Sequence, residues 1–111
     1  MNEVFLNGMV ASVVSPAHFS ADAKHLILQL QVPHRNRNQQ LKHDLFTINV
    51  WSSLAEWAAT ALKPGTRITV MGYLTQQLHQ GKVETEVTAK RIFIGKPYEA
   101  MAQQPHDLSN A

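Results

Sequence analysis

The chemistry this 111-residue chain could do rests on its rings and its cations: two tryptophans, two tyrosines, six histidines and ten lysines and arginines. Trp51 is the sharpest of them. It closes a stretch, Asp44 to Trp51, in which Phe46, Ile48 and Val50 alternate with Leu45, Thr47, Asn49 and Trp51. A strand sends alternate side chains to opposite faces, so if the first set is core, Trp51 stands outside it. An indole there is costly unless something covers it. A nucleobase would, at about 1–3 kcal/mol per stacked base; the start of a following helix, a tail or a second subunit are the alternatives. Arg35, Arg37 and Lys42 lie in a polar run, residues 34–43, flanked by His34 and His43. Such cations neutralise phosphates without fixed geometry, or decorate a solvated hairpin tip. Tyr73 alternates onto the face of Thr75, as a second ring platform or an interface residue. Lys90 and Arg91 end the last apolar run, one toward a groove and one toward solvent. Trp57 recurs with Leu54 and Ala61 at helical spacing and is expected in the core.

Other chemistries fare worse. The chain has no cysteine, which removes disulfides, thiolate metal sites and cysteine nucleophiles. His18, His25, His34, His43, His79 and His106 show no ligand spacing, so no metal site and no cofactor are expected; the histidines matter more as weak stackers. No phosphate cradle, nucleophile elbow or framed carboxylate pair is present, and an enzyme is not expected. Glu84 and Glu86, two apart, share a strand face and read as charge partners for Lys82 and Lys90. No apolar run reaches a membrane-spanning length. The N-terminus lacks the pattern of a signal peptide, which points to a cytoplasmic address. Charge is mildly basic, ten Lys and Arg against eight Asp and Glu, and Glu99 and Asp107 fall after Pro97, where no Lys or Arg occurs. That balance is compatible with a polyanion partner.

The elements that must position these residues follow from periodicity. Val4, Leu6 and Val10 mark a first strand, with a bulge or bend expected at Gly8. A turn follows at Ser15–His18. His25 to Val32 is a second strand with Leu26, Leu28, Leu30 and Val32 inward, ended by Pro33, and residues 34–43 form a mobile loop before the third strand, Asp44 to Trp51. Ser53-Leu54-Ala55-Glu56 fits a capping box, opening a short helix that Lys63-Pro64-Gly65 stops. Thr66 to Leu78 alternates again with Ile68, Val70 and Leu74 inward and a bend at Gly72. His79-Gln80-Gly81-Lys82 is a tight hairpin turn, and Val83 to Ile94 the last strand. Residues 1–95 form one domain and residues 96–111 a flexible tail. The order β-β-β-α-β-β predicts an all-β fold, a five-stranded OB-fold barrel with one short helix between strands 3 and 4.

Several segments resemble the bacterial single-stranded DNA-binding protein (SSB) family. Asn2-Glu3-Val4-Phe5-Leu6-Asn7-Gly8 is similar to its opening N-x-V-x-L-x-G. Phe46 to Glu56 resembles its strand-to-helix passage ending Leu-Ala-Glu. Leu62-Lys63-Pro64-Gly65-Thr66-Arg67-Ile68-Thr69-Val70-Met71-Gly72-Tyr73-Leu74 resembles Leu-x-Lys-Gly-x-x-Val-x-Val-x-Gly-x-Leu, and Thr85-Glu86-Val87 matches a Thr-Glu-(Val/Ile) of the last strand. These matches run in order across residues 2–95. The resemblance implies sequence-independent binding of single-stranded DNA in replication, recombination and repair. Trp51 falls on a stacking aromatic of the family, His79 near a third one, and Arg35, Arg37 and Lys42 in a loop that touches DNA; Lys90 completes the expected set. The departures are Leu45 where well-known members carry a second stacking Trp, the short hairpin at 79–82, Thr75, Gln77 and Leu78 at positions often basic, and a tail, Ala102 to Ala111, without the acidic tip that recruits partner proteins.

The resemblance further implies a homo-oligomer, a tetramer built from dimers. The alternative function is a primosomal replication protein N-like dimeric adaptor that mainly contacts other replication proteins. An RNA-binding OB domain would use the same stacking chemistry.

Overall fold

A computed structural model describes residues 1–14 and 24–95, together with the backbone of residues 106–107. Six strands and a helix follow in order: β1 Val4–Val14, β2 His25–Arg35, β3 Leu41–Trp51, α1 Ser52–Ala61, β4 Arg67–His79, β5 Lys82–Ile94 and β6 His106–Asp107. Antiparallel pairing gives the order β3-β2-β1-β4-β5-β6, and a short parallel contact of Ile48–Asn49 with Val87–Thr88 joins β3 to β5 and closes the barrel. This is the five-stranded OB-fold barrel with its helix between β3 and β4; β6 adds one short pairing, Arg91 with Asp107 and Ile92 with His106. The turn expected at Ser15–His18 and most of the expected tail lie outside the described residues.

Alternation builds the core as expected. Leu26, Leu28, Leu30, Ile48, Val50, Ile68 and Val70 are buried from the strands, joined by Val10, Val87 and Ile92, and α1 closes one end with Leu54, Ala55 and Ala58. Trp57 is partly buried and packs against this cluster. No helix among the described residues is long and apolar enough to cross a membrane.

Four local expectations need correction. Pro33 does not end β2, which runs on to Arg35 with Pro33 opposite His43. Its pairing with β1 stops at Gln31 opposite Met9, so Pro33 sits where β2 has a single neighbour and a missing N–H is tolerated. Residues 34–43 are therefore an ordered hairpin arm. His34 pairs with Lys42 and Arg35 with Leu41, and the Asn36 carboxamide oxygen accepts from the backbone N–H of Asn38 (2.9 Å) and Gln40 (3.0 Å). That Asx-type turn is what closes the arm.

The helix does not use Ser53 and Glu56 as a capping box. Its N-cap is Trp51, without a side-chain bond; the N–H of Ser52 donates to the Lys24 carbonyl at 3.0 Å, and Glu56 pairs with Lys24. A distant backbone carbonyl thus takes the N–H of the first helical residue, one place before the expected cap. Leu74 is on the face of its buried partner Val87, as expected, yet is 48% exposed, because β4 leaves β1 at Gly72 opposite Val4 and continues beyond the barrel, paired with β5.

The bends also differ in kind. The register shift in β1 comes after Val10, leaving Ala11 as the extra residue, and Gly8 answers a close approach instead. A Cβ there would lie 2.2 Å from the Gln31 carbonyl oxygen. At Gly72 both features coincide: a Cβ would lie 2.0 Å from the Thr88 oxygen, and the register shift between Met71 and Gly72 leaves Lys90 as the extra residue of β5. The hairpin at 79–82 is as expected, with Gln80 and Gly81 both at positive φ (52° and 82°), the pattern of a two-residue type I′ turn.

Candidate nucleic-acid interface

The register of β2 and β3 puts His25 opposite Trp51, Ile27 opposite Asn49, Gln29 opposite Thr47, Gln31 opposite Leu45 and Arg35 opposite Leu41. Paired residues share a face, so these form one outer surface running from the barrel up the arm. Trp51 is 45% exposed on it. Tyr73 pairs with Thr88 on β5, and Thr88 adjoins Asn49 through the parallel closure. Tyr73 is thereby carried to the same region.

The result is a cleft of about 280 Å³ lined by Trp51, Ser52, Leu54, Tyr73, Thr88, Ala89 and Lys90. Two rings and one ammonium thus border one concavity. Lys90 reaches it because it is the unpaired residue of the β5 bulge, and bulges commonly re-aim a side chain in this way. The same lysine borders a second hollow, about 310 Å³, with Phe5, Met71 and Arg91.

The remaining expected residues are placed less uniformly. Arg35 shares the Trp51 face by register, and its Nη1 donates to the Gln39 carbonyl at 2.8 Å. Arg37 is in the exposed turn at the arm's tip. Lys42 alternates onto the opposite face with His34 and Asp44, where His34 Nδ1 and Asp44 Oδ2 are 2.9 Å apart; the structure does not bring Lys42 together with Trp51. His79, half exposed, has its Nε2 2.9 Å from Glu86 Oε2.

That last contact belongs to a polar cluster the sequence reading did not assemble. Glu86 is 6% exposed and Asn49 3%. Asn49 Nδ2 donates to Glu86 Oε1 at 2.7 Å, and Asn49 Oδ1 lies 2.7 Å from His25 Nε2. Beside it the Thr75 and Thr88 hydroxyls are 2.9 Å apart. Glu86 is therefore not a partner for surface lysines. It is a buried acceptor whose two oxygens are both used, as burial requires. The alternation had placed Asn49 outward correctly, but only the closure of β3 against β5 shows that β5 covers it.

His79, Glu84 and Glu86 also bring one ligand atom each within 4.8 Å of one another. These are donors suited to a divalent cation, yet Glu86 is already engaged by Asn49 and His79.

Several solved structures share this architecture. A Plasmodium falciparum SSB in complex with ssDNA superposes with a TM-score of 0.70 at 23% identity, over 86% of this chain and 96% of that one. A small single-stranded DNA-binding protein from Streptomyces coelicolor gives 0.67 at 21%, over 94% and 99%. The dimeric N-terminal domain of PriB from Thermoanaerobacter tencongensis gives 0.63 at 23%, over 86% and 97%. No curated protein matches the chain in sequence. The model of the single-strand binding protein family matches residues 1–96, nearly the whole barrel and its outer face, and the chain belongs to that family.

Proposed function

We propose that this chain binds single-stranded DNA with little sequence preference, with residues 1–95 as the binding domain. The observation that carries this is the cleft shared by Trp51, Tyr73 and Lys90 on the open face of the barrel. Rings there stack on any base, and an ammonium beside them meets the phosphate between bases. Arg35 and Arg37 extend positive charge along the arm, so a strand lying on the Trp51 face continues toward them. The lack of sequence preference is supported by the polar groups of that face. Asn49, Glu86 and His79 are bonded to each other, which leaves few free groups to read base edges. The family match and the likeness to an SSB in complex with ssDNA support the same reading, and a homo-oligomer, favoured as a tetramer, is part of it.

A second reading, a dimeric adaptor similar to primosomal replication protein N, draws on the likeness to the dimeric PriB domain. The two differ in what they predict for mass and for DNA. A tetramer by light scattering that binds oligo-dT favours the first; a dimer without measurable affinity for oligo-dT favours the second.

The direct test is a tryptophan-emission titration with oligo-dT at low and moderate salt, with Trp51→Phe in parallel. Strong quenching that weakens with salt and largely disappears in the variant is expected. Absence of quenching at micromolar protein and low salt overturns the stacking role of Trp51. Absence of binding by anisotropy as well overturns the reading.

A further inference from the structure

One face of Trp51 is already taken. His25 is its register partner across β2 and β3, and the imidazole lies flat on the indole, with ring centroids 3.9 Å apart and planes inclined by 6°. An imidazole at the first residue of a strand would ordinarily sample several rotamers. Here its Nε2 is held by Asn49 Oδ1 at 2.7 Å, Asn49 is held by Glu86 at 2.7 Å, and the other Glu86 oxygen meets His79 at 2.9 Å.

The direction of these bonds is determined by chemistry. An ionised carboxylate only accepts, so Asn49 turns its nitrogen to Glu86 and its oxygen to His25. His25 then must donate from Nε2, which sets its tautomer as well as its ring plane. Four side chains from β2, β3, β4 and β5 thus form one continuous rail, buried through Asn49 and Glu86 and ending under the indole.

We propose that His25 is a positioning residue of the nucleic-acid face. Its imidazole holds the Trp51 indole in place with one face covered and one face open, so that Trp51 takes a single base, on the open side toward Tyr73 and Lys90. Fixing the ring before binding removes the ordering cost that a freely rotating side chain would meet on association. This rests on the single-strand reading of the cleft.

The test uses a Trp57→Phe background, in which Trp51 is the sole indole of a chain with two. A flat ring held against the indole restricts its motion, so His25→Ala is expected to enlarge the fast component of the time-resolved emission anisotropy of Trp51 in the absence of DNA. In oligo-dT anisotropy titrations, His25→Ala is expected to weaken binding three- to tenfold. His25→Phe keeps a flat ring on the indole and should stay within twofold of the parent. His25→Leu, similar in bulk but without a flat ring, should behave like the alanine variant; the Phe and Leu pair also carries the contrast if His25→Ala does not fold. Equal affinities for the Phe and Leu variants, or an unchanged fast component of Trp51 anisotropy in a folded His25→Ala, overturn the role of His25. If the parent itself binds no oligo-dT, the single-strand reading has failed and this one with it, a result distinct from a binding parent with indifferent variants.

Discussion

Replacing Glu86 tests whether the polar rail is a set of directed bonds. Its carboxylate is 6% exposed and accepts from Asn49, itself 3% exposed, and from His79. In Glu86→Ala the Asn49 amide loses its acceptor in a place water does not reach, which costs about 1–3 kcal/mol. His79 is half exposed and turns to water, so it adds little. A loss of about 2 kcal/mol is therefore expected. Glu86→Gln behaves differently because the rail can reverse. The new amide nitrogen donates to Asn49 Oδ1, Asn49 flips and donates to His25 Nε2, His25 carries its proton on Nδ1, and the Gln oxygen still accepts from His79. Every donor keeps an acceptor and a buried charge is removed, so the change in stability should stay within about 1 kcal/mol. Urea unfolding at one fixed protein concentration reads the stabilities, and nitrogen chemical shifts of the imidazole read the tautomer. Equal stabilities of the Ala and Gln variants would refute the reasoning.

Three further outcomes are expected. Gly72→Ala forces a Cβ to within 2.0 Å of the Thr88 carbonyl oxygen; backbone cannot yield without opening the β4–β5 ladder, and thermal unfolding should show a loss of at least about 3 kcal/mol. Lys90→Ala should lower the slope of log affinity against log salt for oligo-dT by about one, while Lys42→Ala, on the opposite face of the arm, leaves it unchanged within error. Leu74→Ala should cost less than about 1 kcal/mol in urea unfolding because Leu74 is 48% exposed, against about 2–5 kcal/mol for Ile68→Ala in the core.

Much of the barrel is legible in the chain because its strands are buried on one face only, so apolar alternation marks Leu26, Leu28 and Leu30 or Ile48 and Val50 directly. Trp51 is legible for the same reason, as the member of its strand on the wrong parity to be core. What escapes is whatever depends on which strand meets which. The stacking of His25 on Trp51 requires knowing that the arm turns at Asn36–Gln40, which sets the register of β2 on β3. The burial of Asn49 and Glu86 requires the closure of β3 on β5. The helix start shows the same limit: Ser53 and Glu56 have the spacing of a local cap, but the helix begins at Ser52, and Lys24, distant in sequence, takes both the Ser52 N–H and the Glu56 carboxylate. Pro33 misleads because a proline removes only its own N–H, and on a stretch of strand with one neighbour every second N–H points away from the ladder and has no bond to lose. Lys42 escapes because a ten-residue polar run looks like a loop without faces, whereas paired strands give it two.

The extra residue in β5 acts on everything that follows it. Before the bulge, odd-numbered Val87 points into the barrel; after it, even-numbered Ile92 does. Lys90 therefore works as a change of phase between two halves of one strand. A substitution at this position alters one side chain. A deletion of it would join Ala89, opposite Gly72, directly to Arg91, opposite Met71, and leave a regular ladder in which Ile92 still points inward; a deletion of a paired residue would instead slip the strand by one place and exchange its two faces. The position should accept many residue types and even its own removal, at the cost of the local bend and the ammonium, a tolerance unlike that of Gly72 across the ladder, where the length and the residue are both constrained.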